Sequence, residues 1–186
     1  MLAPVPVIVP IPLVKPRVRR QPPREAICGM IEAAAREHAL PVRFLTRLIW
    51  QESRFKVSAV SHAGARGIAQ FMPVTAAERD LRDPFDPKQA LWAAAGLLGS
   101  LKQRFGNLGL AAAAYNAGPG RVTEWLGKKR LLPEETRNYV RAITGRPARS
   151  WIEPDDEAAE GEGIMFGDDA ADASCVSVIV AMASSG

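Results

Sequence analysis

The residue best placed to do chemistry in this chain is a glutamate on an apolar helical stripe. The segment 41–53 reads PVRFLTRLIWQES, with Leu45, Leu48, Ile49 and Glu52 at relative positions 0, 3, 4 and 7, so all four project from one face. Burial on such a face disfavours an ionised carboxylate and raises its pKa, and a glutamate kept protonated near neutral pH can give a proton to a leaving group. The plainer alternative is a helix-end glutamate turned to solvent or paired with Arg47 or Arg54. Between Arg43 and Arg79 the only acids are Glu52 and Glu78, and no aspartate stands at the short spacing that would supply a second carboxylate. A lone glutamate must then carry both proton transfers of an acid–base reaction, or an internal group of the substrate must act as nucleophile.

The elements that position Glu52 are helical. Ile27, Met30, Ile31, Ala34 and Ala35 mark a first amphipathic helix, and Pro41 opens the helix that ends near Glu52. From Lys56 to Gln70 the chain has serines, glycines and no helical stripe, which predicts an irregular loop or short antiparallel ribbon beside Glu52. Pro73 restarts a helix. Asp86 and Pro87 form a cap and first-turn pair for a long apolar helix through Phe105, ended by Gly106. Leu108 to Ala117 is nearly all apolar and reads as a central helix, followed by two more over 119–126 and 133–144.

With 186 residues, 47% of them hydrophobic, the chain has room for one ordinary domain with a full core. Its charge is uneven. Residues 1–24 carry five basic groups and no acid, residues 25–145 carry 17 basic against 11 acidic, and residues 146–186 carry two basic against nine acidic. This divides the chain into a proline-rich basic leader or spacer (1–24), a basic helical domain (25–145) and an acidic tail (146–186), poorly ordered from about 153 to 172. A basic domain favours anionic partners, either peptide carboxylates on a wall polymer or nucleic acid. The basic residues do not cluster around aromatic platforms, which argues against nucleic acid.

The leader is apolar and then basic, the reverse of a signal peptide, and its prolines hold the backbone extended. The apolar run 175–183 is too short to span a bilayer. His38 and His62 show no metal-ligand spacing and the two cysteines form no CxxC pair, so neither a metal nor any other cofactor is expected. Cys28 and Cys175 are read either as one disulfide or as two unrelated buried thiols.

Four further runs stand in order along the chain: Glu52-Ser53 at a helix end, Gly67-Ile68-Ala69-Gln70-Phe71-Met72-Pro73, Ala114-Tyr115-Asn116-Ala117-Gly118, and Pro133-Glu134-Glu135-Thr136 followed by Tyr139-Val140. In order and spacing they resemble the soluble lytic transglycosylase domain, over about residues 25–145. The resemblance implies a mainly α, lysozyme-like (goose-type) fold and cleavage of the bond between N-acetylmuramic acid and N-acetylglucosamine in peptidoglycan. Glu52 would serve as sole acid and base, and the muramoyl C6 hydroxyl, not water, would attack C1. Glycosidases ordinarily use two carboxylates. Ser61, Gln70, Met72, Tyr115, Asn116 and Tyr139 match family residues along the glycan groove, with the Tyr139 hydroxyl reaching toward the acid. Taken singly, four of them have a structural alternative: Ser61 a loop serine, Met72 a core methionine, Asn116 a helix-end polar group and Tyr139 a packed tyrosine.

The resemblance further implies glycan strands as partner, action in the periplasm or cell envelope as a monomer, and a place in wall remodelling or a secretion complex. It also favours pairing of Cys28 with Cys175, which would tie the tail to the first helix. A hydrolytic muramidase and a glycan-binding module without turnover are the alternatives.

Overall fold

The computed structural model describes residues 20–152 and 174–184. The leader 1–19 and the acidic stretch 153–173 lie outside the described residues, and with them most of the expected spacer and the expected disordered tail.

The chain runs α1 (Arg24–Glu37), α2 (Val42–Ser53), α3 (Pro73–Glu78), α4 (Pro87–Phe105), α5 (Leu108–Ala117), α6 (Pro119–Leu126), α7 (Glu134–Thr144), a 3-10 turn (Ala148–Trp151) and α8 (Cys175–Ala183). Local chemistry accounts for the boundaries. The Asp86 carboxylate accepts the Gln89 N–H and Pro87 fills the first turn of α4, while Gly106 closes it in the left-handed region. The Asn107 side chain caps α5 in the same way by accepting from Leu110 N–H.

Helix α5 is the hub. Its residues Leu108 to Ala114 are all buried, and it packs on α4, α6, α7 and the 3-10 turn. Alanines at 111–114 let the neighbouring backbones approach on every side. A close approach on this helix falls at Gly109, where a Cβ would collide with the Trp151 indole. That seat, and the Asn107 amide donating to Trp151 O at 2.9 Å, dock the 3-10 turn. Helices α1, α2 and α8 form the second layer: α1 packs on α4, and α2 on α7.

The only pairing outside helices among the described residues is two isolated antiparallel bridges, Val60 with Arg66 and Arg66 with Phe71. The stretch from Lys56 to Gln70 is thus a folded loop with a trace of ribbon. Gly67 has φ +76°, and a side chain there would run into the Pro84 carbonyl, so the loop can lie against 84–85 only with glycine at that position.

Two elements extend the packed body past Gly145, where the sequence places a boundary. The 3-10 turn packs on α5 and α7, and α8 packs on α1 and α2. A disulfide joins Cys28 of α1 to Cys175 at the start of α8, with the Cα atoms 5.2 Å apart. The Cys175 N–H also donates to the Glu32 carboxylate at 2.9 Å. Among the described residues no helix is long and apolar enough to cross a membrane.

Candidate active site

Glu52 lies one residue from the end of α2, and its stripe-mates Leu45, Leu48 and Ile49 are fully buried. Its own side chain is partly buried at the edge of that core. The Tyr139 hydroxyl, from α7, donates a hydrogen bond to Glu52 Oε1. Burial pushes the Glu52 carboxyl up from 4.5 to about 7; the Tyr139 hydrogen bond opposes this, and the charge of Glu135 adds to it. Neither Arg47 nor Arg54 pairs with it. Arg47 donates to Ile143 O at 3.4 Å, and Arg54 lies over the Trp50 ring.

Tyr115 and Tyr139 both ionise only well above the usual tyrosine range, chiefly because of burial and secondly because of the Glu52 charge. They are therefore neutral hydrogen-bond donors throughout the working pH of a protein. Tyr139 donates to the acid and Tyr115 donates to Ala69 O at 2.8 Å.

The second contact belongs to a set that pins the 56–72 loop beside the acid. Ser53, next to Glu52, donates to Ile68 O at 2.6 Å. The Gln70 amide donates to Gly67 O at 2.7 Å and Ala59 O at 3.3 Å, which stabilises its own left-handed backbone (φ 49°). Ser61 Oγ accepts from Ala65 N–H at 3.0 Å and closes the turn at the loop's tip. Gln70 and Ser61 thus hold the loop's shape, and Met72, 42% exposed, stands at its end before α3. Asn116, exposed at the end of α5, accepts from the Thr136 hydroxyl at 2.8 Å and staples α5 to the first turn of α7.

Of the residues singled out from sequence, Glu52, Tyr115 and Tyr139 converge. Ser61, Gln70 and Met72 belong to the loop, and Asn116 to the α5–α7 joint; none of these four bonds to the acid. The sequence reading gave no role to Glu135. It stands four residues before Tyr139, hence on the same side of α7, and that spacing was the available signal. Among the described residues no group of three His, Cys, Asp or Glu side chains could hold a metal ion.

Glu52 thus combines an apolar seat with a hydrogen bond from a neutral tyrosine, an arrangement that suits one carboxyl both to give and to take a proton. Comparison with known proteins places the chain within a family. The family model described as the Transglycosylase SLT domain matches residues 29–138, and the chain belongs to that family. A membrane-bound lytic murein transglycosylase F of Desulfosudis oleivorans is 35% identical over 102 residues, covering 51% of this chain and 22% of the relative. The peptidoglycan transglycosylase gp16 of Escherichia phage T7 is 35% identical over 133 residues, covering 62% of this chain and 10% of the relative. Among solved structures, an inactive mutant of the lytic transglycosylase Slt from Pseudomonas aeruginosa superposes with a TM-score of 0.56 at 31% identity, over 67% of this chain and 23% of that one. The 70 kDa soluble lytic transglycosylase of Escherichia coli gives 0.55 at 27%, over 67% and 23%. The fold is the helical, lysozyme-like one of these enzymes. This chain spans less than half the length of each of these relatives.

Proposed function

We propose that the chain is a peptidoglycan lytic transglycosylase in which Glu52 acts first as acid and then as base. The observation that carries this reading is the Glu52 carboxyl at about 7, bonded by a neutral tyrosine and, among the described residues, without a basic partner. Such a group is protonated in an appreciable fraction of molecules near neutral pH and is a competent base once it has given its proton away.

Tyr139 occupies Oε1, which leaves Oε2 to carry the proton. In the proposed reaction that proton passes to the glycosidic oxygen as the C1–O bond breaks, and the substrate's own N-acetyl oxygen supports the charge developing at C1. The Glu52 carboxylate then takes the proton of the muramoyl C6 hydroxyl, whose oxygen bonds to C1. Glu52 is restored, no water is consumed, and the product ends in a 1,6-anhydro sugar. Tyr115, Ser53 and Gln70 hold the loop that walls the site. In this reading Ser61, Gln70, Met72, Tyr115, Asn116 and Tyr139 line the glycan groove, and residues 25–145 carry the activity, with 1–24 as a spacer.

The relatives' names speak of murein and peptidoglycan, and disulfides form and persist chiefly in oxidising compartments. Both support action in the cell envelope. The acid and its tyrosine come from one chain, which suits a monomer.

Purified sacculi digested by the protein and analysed by mass test the reading. Muropeptides ending in 1,6-anhydro-N-acetylmuramic acid are expected. Products about 18 Da heavier per cleavage, the water adducts, would replace it with hydrolysis.

A further inference from the structure

A second feature stands on another face of α7. Glu134, Arg137, Asn138 and Arg141 fall at relative positions 0, 3, 4 and 7, one stripe from which Tyr139 is displaced, so this stripe looks away from Glu52. It lines a cavity of about 460 Å³, within the range of ligand sites, closed by the end of α6, the 127–133 loop and the 3-10 turn. Three guanidiniums, Arg137, Arg141 and Arg149, line it against the single carboxylate of Glu134. Among the described residues, no carboxylate lies within salt-bridge reach of any of the three. The apolar wall comes from Trp125 and from Leu131, which is 86% exposed.

We propose that this cavity binds a carboxylate-bearing stem peptide of the wall polymer, a second contact with the substrate outside the cleft. The proposal rests on the reading of peptidoglycan as substrate. Guanidiniums grip carboxylates in paired hydrogen bonds, and three unpaired ones in one concavity call for a ligand with more than one carboxylate. The apolar wall calls for small alkyl groups between them. A stem peptide supplies both, through its acidic residues and its alanyl methyls. A concave pocket does not fit a flat lipid surface, and one tryptophan is not the row of platforms that a nucleic acid strand needs. A polymer held at the cavity and at the cleft together would also dissociate more slowly than from either alone.

The test reads binding without turnover, so it stands or falls independently of whether the chain cleaves glycan. A sugar-free tetrapeptide, L-Ala-γ-D-Glu-meso-diaminopimelyl-D-Ala, is titrated into the full chain while the amide and indole NMR signals are followed. Saturable shifts are expected at Trp125, Arg137 and Arg141, with Glu52 and Tyr139 unmoved. Arg137→Ala combined with Arg141→Ala, both exposed positions, should weaken binding at least tenfold while the remaining spectrum shows an intact fold; Arg149→Ala alone should weaken it about threefold. No shift at the cavity, shifts confined to the cleft, or unchanged affinity in both variants would overturn the proposal. So would binding to phosphatidylglycerol vesicles in place of the peptide, or peptide binding that appears only after the chain's own acids at 153–157 are neutralised.

Discussion

Helix α2 carries two charged side chains that burial disfavours, five residues apart, and they come to opposite uses. Arg47, in its middle, is held below the usual arginine range by burial and by the neighbouring Arg43. Glu52, near its end, is raised to about 7, again first by burial. Arginine starts so far above neutral pH that the same physics leaves it a fixed cation, tied to the end of α7 through Ile143 O. Glutamate starts low enough that a comparable push brings its proton into the working range. Burial makes a reactive group only where the intrinsic pKa puts the shifted value near the ambient pH.

The largest effect that sharpens this contrast is expected from Glu52→Gln. Turnover of sacculi should fall at least about a hundredfold, since the amide can neither donate nor recover the proton. The same variant should gain stability above pH 7. A carboxyl raised in the folded state binds its proton more tightly there than in the unfolded chain, so wild type loses stability as pH rises from about 4.5 through about 7. Allowing for the partial exposure of Glu52, the gain should be about 2 kcal/mol at pH 8 and nil at pH 4, read from denaturant unfolding. Equal stability of the two proteins at pH 8 would break the contrast.

Replacing both cysteines, Cys28→Ser with Cys175→Ser, is expected to cost about 2–5 kcal/mol, because the bridge closes a loop with a sequence separation of 147 residues. Activity per folded molecule should stay near wild type, since α8 packs on α1 and α2 and makes no bond to Glu52. For Arg47→Met, about 1 kcal/mol of stability should go with the lost bond to Ile143 O, without any move in the pH–activity profile. A moved profile would mean that Arg47 acts on the acid after all.

The smallest effects are shifts of that profile, opposite in sign. Tyr139→Phe removes the hydrogen bond that lowers the Glu52 pKa, so the alkaline limb should move to higher pH while kcat falls about tenfold. Glu135→Gln removes a charge that raises it, so the limb should move to lower pH. Shifts of the same sign in both variants would contradict the assignment of causes.

Much of this was legible in the chain. The 0, 3, 4, 7 stripe ending on Glu52 announced a partly buried acid, and Asp86-Pro87 and Gly106 gave the limits of α4 because caps are local chemistry. The alanine run at 111–114 marked α5 as the hub. The surroundings of Glu52 were harder: Glu135 is 83 residues away, and its charge reaches the carboxyl only because α2 packs on α7. The seat of Trp151 on Gly109 was likewise hidden, since nothing near either residue signals the other. The run 175–183 read as a short apolar stretch tied to the first helix through Cys28 and Cys175; that it forms a helix and docks on α2 as well depends on surfaces that those helices provide.

The measurement that bears most directly on the account is a titration of the Glu52 side-chain carboxyl by carbon-13 NMR, with Glu52→Gln used to assign its signal. A midpoint near pH 7 is predicted, moving up in Tyr139→Phe and down in Glu135→Gln. A midpoint at the ordinary 4.5, unmoved by either substitution, would mean that the carboxylate is fully charged at neutral pH and would contradict its role as the single proton donor.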